Sequence, residues 1–242
     1  MSFMLSTRKN VLIALLVFFA MYTQICHAGR AIIDDIIVRP VLVTLVDGSS
    51  GKGSGFYYRD AEKGIFLVSA CHVFMEKDRD NNLVLRSKKA HLLSYPKDLD
   101  WSKPAKLEID LDKLIKQDLV RFDSNNDTFA MQISKEVRLD DDQKKKKIND
   151  GIKRLLNGGI LTIPADQTRN YKDVLIGNYI YISGFPSSLG IKRMPQIDYD
   201  RPLLRKGIIS GKFDDRKTII IDCPVLGGNS GGPVIEVEEL SI

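Results

Sequence analysis

Short runs of apolar residues, alternating with polar ones or continuous over a few positions, recur along the chain between clusters of Gly, Pro, Asn and Asp. That pattern belongs to β-strands. It predicts strands over residues 36–46, 54–58, 64–68, 90–94, 105–109, 119–122 and 128–133. After an interruption it predicts a second set over residues 160–163, 174–183, 191–197, 203–210, 217–221 and 233–237. The interruption has a different period. Ile148, Ile152, Leu155 and Leu156 have helical spacing, and Asn157-Gly158-Gly159 supplies a stop. A solvated amphipathic helix is expected over residues 141–157. Two sets of strands flanking a linker predict an all-β chain of two units, 29–139 and 160–242, with residues 140–159 between them.

The first 28 residues stand apart from this pattern. Arg8 and Lys9 precede a 12-residue apolar run over residues 11–22, and Cys26-His27-Ala28 offers small residues around a cut after Ala28. This is the arrangement of a secretory signal peptide. The apolar run is shorter than the roughly 20 residues that span a bilayer, so a lasting membrane anchor is not expected. Gln24 and Ile25 are poor neighbours for a lipid-modified Cys26. The expected mature chain begins at Gly29 and is secreted or periplasmic.

Composition narrows the classes further. The 242 residues are 43% hydrophobic and carry 36 Lys and Arg against 31 Asp and Glu, a formal charge of +5. A disordered polymer, a collagen-like repeat and a multi-span membrane protein are excluded. At this length about 70% of the unfolded surface is buried on folding, so no metal or disulfide staple is needed. Removing Arg8 and Lys9 with the leader takes the charge to +3. The basic run Lys144-Lys145-Lys146-Lys147 follows Asp140, Asp141 and Asp142, which partly cancel its field. No basic face with interleaved aromatics is present, so nucleic acid is not an expected partner. Cys71 and Cys223 outlast the leader and are expected to be buried free thiols. No His/Cys spacing has zinc-site form, and His91 is expected to be an ordinary strand residue.

Three segments carry candidate chemistry. Gly227-Gly228-Asn229-Ser230-Gly231-Gly232-Pro233 is a glycine-dense turn ahead of a strand. Such a turn exposes a serine hydroxyl while neighbouring N–H groups converge on a developing oxyanion. A plain hairpin turn would use the same residue types. Val68-Ser69-Ala70-Cys71-His72-Val73 places His72 just past an apolar strand, a rigid support for a general base. Asn125-Asn126-Asp127-Thr128 sets one acid before an alternating strand, where a carboxylate holds an imidazole tautomer; Asp123 is the nearby competitor.

Together these segments resemble the trypsin-like, chymotrypsin-fold serine peptidases, particularly their bacterial exported branch. Gly53-Ser54-Gly55-Phe56 is similar to the strand ahead of the family's base, and Ser69-Ala70-Cys71-His72 to its Ala-Ala-His element. Asn126-Asp127 is similar to the acid segment, and Tyr181-Ile182-Ser183-Gly184-Phe185-Pro186 to the Gly-Tyr-Pro turn of the second barrel. Gly228-Asn229-Ser230-Gly231-Gly232-Pro233 is similar to the nucleophile loop. The resemblance covers about residues 36–237. It implies two six-stranded-type antiparallel barrels with an active site in the cleft between them. It also implies a triad of His72 as base, Asp127 as its orienting acid and Ser230 as nucleophile. The oxyanion donors it implies are the N–H groups of Gly228 and Ser230, with no cofactor and no metal.

Four features depart from the family pattern. Phe129, two after the acid, stands where a small side chain is usual. Pro224 occupies the place of the acid that selects Lys or Arg, and Asp222 lies two residues away, so the resemblance does not imply basic-residue specificity. Residues 75–107 and the Lys-rich helix resemble insertions. Residues 238–242 are too few to supply the strands that complete the family's second barrel. The leading expectation is an exported serine endopeptidase acting on polypeptides. The alternative is a weak or inactive peptidase-fold protein that binds peptides, or associates with partners or itself through an open second barrel. A β-rich adhesion domain would leave the joint presence of the three segments unexplained.

Overall fold

The computed structural model describes residues 34–47, 51–135, 148–185 and 195–237. A 3-10 turn, Asp34–Val38, leads into β1 (Pro40–Leu45), β2 (Lys52–Asp60) and β3 (Gly64–Ala70). A single helical turn, α1 (Cys71–Phe74), follows, then β4 (Met75–Lys77), β5 (Leu83–Leu85), β6 (Lys89–Ser94) and β7 (Ala105–Asp110). Next come α2 (Leu111–Lys116), β8 (Val120–Asp123), β9 (Thr128–Ser134), β10 (Ile152–Asn157) and β11 (Thr162–Pro164). The last strands are β12 (Tyr179–Gly184), β13 (Leu203–Phe213), β14 (Thr218–Asp222) and β15 (Val234–Val237). The fold is all-β, as the strand pattern predicts. The expected leader, the run at 144–147, Pro186 and residues 191–194 lie outside the described residues.

The first sheet has the order β10-β7-β6-β1-β2-β3-β9-β8 and curls around one core. The two-residue period of its strands decides what enters that core. Ala90 and Leu92 on β6, Ala105, Leu107 and Ile109 on β7, and Phe129, Met131 and Ile133 on β9 are all buried. β2 is long enough to share one edge between two partners. Its first half pairs antiparallel with β1, and Tyr57, Tyr58 and Arg59 pair parallel with Thr162, Ile163 and Pro164 of β11. The second sheet, β14-β13-β12-β15, is antiparallel throughout and has its own small core of Val174, Ile180, Ile182 and Ile209. Val38, Leu42, Tyr95 and Phe185 form a further cluster that joins the sheets. The Ser183 hydroxyl also donates to the Ile37 carbonyl at 3.1 Å.

The predicted helix over residues 141–157 is corrected where the structure describes it. Ile152–Asn157 is strand β10, paired antiparallel with β7. The register shifts between Arg154 and Leu156, so Leu155 is an extra residue in a bulge. A bulge breaks the two-residue alternation, and the resulting spacing at 152, 155 and 156 imitates a helical face. Leu155 and Leu156 are exposed, so their apolar character does not mark the core. β10 and β11 both join the first sheet, so its strands extend past residue 159, through Pro164. The predicted strand over 36–46 begins only at Pro40, because residues 34–38 form the 3-10 turn. The region over 75–107 is built from β4 to β7, with β6 and β7 central to the core rather than decorating it.

Candidate active site

His72 sits on α1, directly after β3. Its neighbours Cys71, Val73 and Phe74 are buried, and this packing leaves the imidazole as the exposed member of the turn. Phe74 stacks on Phe129 with ring centroids 4.2 Å apart, both fully buried. The bulky Phe129, a departure from the family pattern, thus forms the floor beneath the histidine turn.

Asp127 begins its approach in the turn between β8 and β9. Its φ of +51° is left-handed, a conformation that aspartate and asparagine tolerate better than most residues. Three contacts follow from that placement. The Cys71 N–H donates to the Asp127 carbonyl at 3.0 Å, and the His72 N–H donates to Asp127 Oδ1 at 2.9 Å. Asp127 Oδ2 lies 2.7 Å from His72 Nδ1. A carboxylate oxygen accepts, so Nδ1 is the ring nitrogen that carries a proton, and in the neutral ring the lone pair lies on Nε2. Asp123, the competing acid, is occupied otherwise. It accepts the Asn126 side-chain amide and the N–H groups of Asn125 and Asn126, which hold its carboxyl below its ordinary pKa.

The serine loop is fastened to the first sheet. The Ser54 N–H donates to the Ser230 carbonyl at 2.9 Å, and the Ser54 hydroxyl donates to the Gly228 carbonyl at 2.6 Å. Ser69 in turn donates to the Ser54 carbonyl at 2.7 Å. Gly231, at φ +82°, lies against this pair; a Cβ there would collide with the Ser54 carbonyl, the Ser69 hydroxyl and the Ala70 nitrogen. The loop bearing Ser230 is therefore seated on the strand ends that lead into His72. On its other side Gly184 packs against Asn229, so the segment similar to the Gly-Tyr-Pro turn meets the serine loop directly. Asn229 is buried and its N–H is bonded to the Leu226 carbonyl. Among the described residues, the N–H groups of Gly228 and Ser230 make no main-chain hydrogen bond.

The remaining candidates separate cleanly. Cys71 and Cys223 are free thiols, the first buried and the second half-buried, so Cys223 is less enclosed than the sequence suggests. Burial, then the charges of Asp127 and Asp123, push the Cys71 thiol up, which disfavours a thiolate beside His72. His91 lies on β6, 3.4 Å from Glu108, as a strand residue. Asp222 and Pro224 are both exposed. Sequence reasoning did not single out Ser54, Ser69 or Arg86 as individual site residues. The first two lie inside Gly53-Ser54-Gly55-Phe56 and Ser69-Ala70-Cys71-His72, while the Arg86 contact with the His72 carbonyl has no sequence signal.

No curated protein matches this chain significantly. The sequence model of a family described as the trypsin-like peptidase domain matches residues 53–240, from the second residue of β2 to beyond β15, and the chain belongs to that family.

Proposed function

We propose that this peptidase-family chain is an exported serine endopeptidase that cleaves polypeptides through His72, Asp127 and Ser230. The observation that carries this reading is the double engagement of Asp127, which accepts both the Nδ1 proton and the main-chain N–H of the same histidine. In the reaction, the Ser230 hydroxyl attacks the scissile carbonyl and its proton passes to His72 Nε2. The Asp127 carboxylate stabilises the imidazolium so formed. The N–H groups of Gly228 and Ser230 take the oxyanion. Collapse breaks the C–N bond, His72 protonates the leaving amine, and an acyl-enzyme remains on Ser230. Water, deprotonated by His72, then releases the acid and restores the serine. No cofactor enters the scheme.

A fluorophosphonate probe followed by peptide mapping tests this reading. One adduct, on Ser230, is expected, and it disappears in both Ser230→Ala and His72→Ala. Absence of any adduct in the wild type would favour the non-catalytic peptide-binding alternative. Export to a secreted or periplasmic location rests on the leader pattern. N-terminal sequencing of exported protein is expected to begin at Gly29, and retention of residues 1–28 would refute the cut.

A further inference from the structure

The turn that carries His72 is held at both ends, and only one end belongs to the proposed triad. At its start, Asp127 takes the N–H groups of Cys71 and His72. At its end, Arg86 takes two carbonyls. Its Nη1 donates to the His72 carbonyl at 3.0 Å, and its main-chain N–H donates to the Phe74 carbonyl at 2.9 Å. A four-residue helix closes few carbonyls by itself; here the Met75 N–H closes that of Cys71. Arg86 closes the ones on either side of Val73. The guanidinium is anchored in turn, with Nε 3.6 Å from the Glu76 carboxylate. β4 and β5 pair as a hairpin, Met75 opposite Leu85, which delivers Arg86 back to the turn.

We infer that Arg86 is a positioning residue for the base: by clamping the His72 carbonyl it fixes the main-chain dihedrals of that residue and so the aim of Nε2. This rests on the reading of His72 as the general base. A ring hinged on its own main chain, and tied to Asp127 only through Nδ1, swings if the carbonyl end is released. A misplacement of about 1 Å at a reacting group costs on the order of 10² in rate. Arg86 touches neither substrate nor reacting atoms in this scheme, so its effect falls on the chemical step and not on binding.

The experiment compares wild type, Arg86→Ala, Arg86→Lys and Glu76→Gln by saturation kinetics with the fluorophosphonate. Proton NMR of the His72 Nδ1–H and a thermal melt accompany the kinetics. In Arg86→Ala the maximal phosphonylation rate is expected to fall at least about tenfold, with the half-saturating probe concentration unchanged. The Nδ1–H resonance is expected to broaden or vanish. Arg86→Lys, which retains a donor, is expected to recover most of the rate, and Glu76→Gln to lose less than Arg86→Ala. A wild-type rate with an unaltered resonance in Arg86→Ala would overturn the inference. So would a loss matched by the unfolded fraction that lysine does not repair. If Arg86→Ala does not fold, the same readouts on Arg86→Lys and Glu76→Gln decide: wild-type behaviour of both refutes the inference. Should the wild type give no adduct, the catalytic reading fails separately, and the Nδ1–H resonance alone judges the clamp.

Discussion

Asp127 combines two roles that one substitution separates. Its left-handed φ and its carbonyl serve the turn, while its carboxylate serves the imidazole. Asparagine keeps the first role, since it tolerates the same φ, but replaces one carboxylate oxygen with a donor that favours the wrong imidazole tautomer. Asp127→Asn is therefore expected to cost about 10⁴ in kcat with the fold retained. Asp123→Asn is expected to leave kcat within a few-fold, because its contacts lie within the turn. The reverse result in a peptide-hydrolysis assay would exchange the two assignments. Ser54 supplies a different prediction. Its hydroxyl bonds the Gly228 carbonyl and accepts the Phe185 N–H at 3.3 Å, deep in the structure. Ser54→Ala strands both groups, an expected loss of about 1–3 kcal/mol in denaturant unfolding together with slower labelling of Ser230. His72, Asp127 and Ser230 are candidates because each stands in a local motif, and the structure brings the first two into contact. The hydroxyl of Ser54 acts on a residue 174 positions away, and nothing local announces such a partner.

At the level of strands and turns, the face-to-face pair Phe74–Phe129 couples α1, which carries His72, to β9, which follows directly on the Asp127 turn. Phe129→Ala removes a fully buried ring from beneath both. A loss of about 3–5 kcal/mol is expected, read as a lower urea midpoint, and labelling of the surviving folded protein should slow as well. A stability loss without slower labelling would show that the stack supports the core but not the site. Most strands were legible where both of their faces obey the two-residue rule, as on β6, β7 and β9. β10 was not, because the bulge at Leu155 shifts its phase and its edge position leaves apolar residues in solvent. The short elements α1, β4 and β5 were missed for another reason. Three or four residues are too few to establish a period, and α1 forms because Asp127 and Arg86 hold its ends.

The two sheets differ in how completely they bury what they carry. The first closes over a large core, while the second leaves Phe213, Val225 and Val234 more than half exposed and Ile220 43% exposed. An apolar cavity of about 350 Å³ opens beside it, lined by Ile180, Ile209, Ile219, Ile221 and Val234 among others. Among the described residues β14 pairs only with β13, and β15 only with β12, which leaves the outer edge of each without a partner among them. Unpaired edges next to exposed apolar side chains favour association, and natural proteins suppress it with charge on the edge strand. Ile220 on β14 is the position at which to add one. We propose that the protein associates with copies of itself through the second sheet, and that Ile220→Lys weakens this association. Sedimentation across a concentration series is expected to show a wild-type mass rising above 27.2 kDa, less the leader if removed, while Ile220→Lys stays near the monomer. Labelling of Ser230 should be equal in the two proteins at concentrations where both are monomeric, since β14 touches neither α1 nor the Asp127 turn in the contacts that hold the site. A wild type that remains monomeric at about 100 μM, far above any concentration used for labelling, would show that the apolar edge is tolerated in solvent and would refute the association.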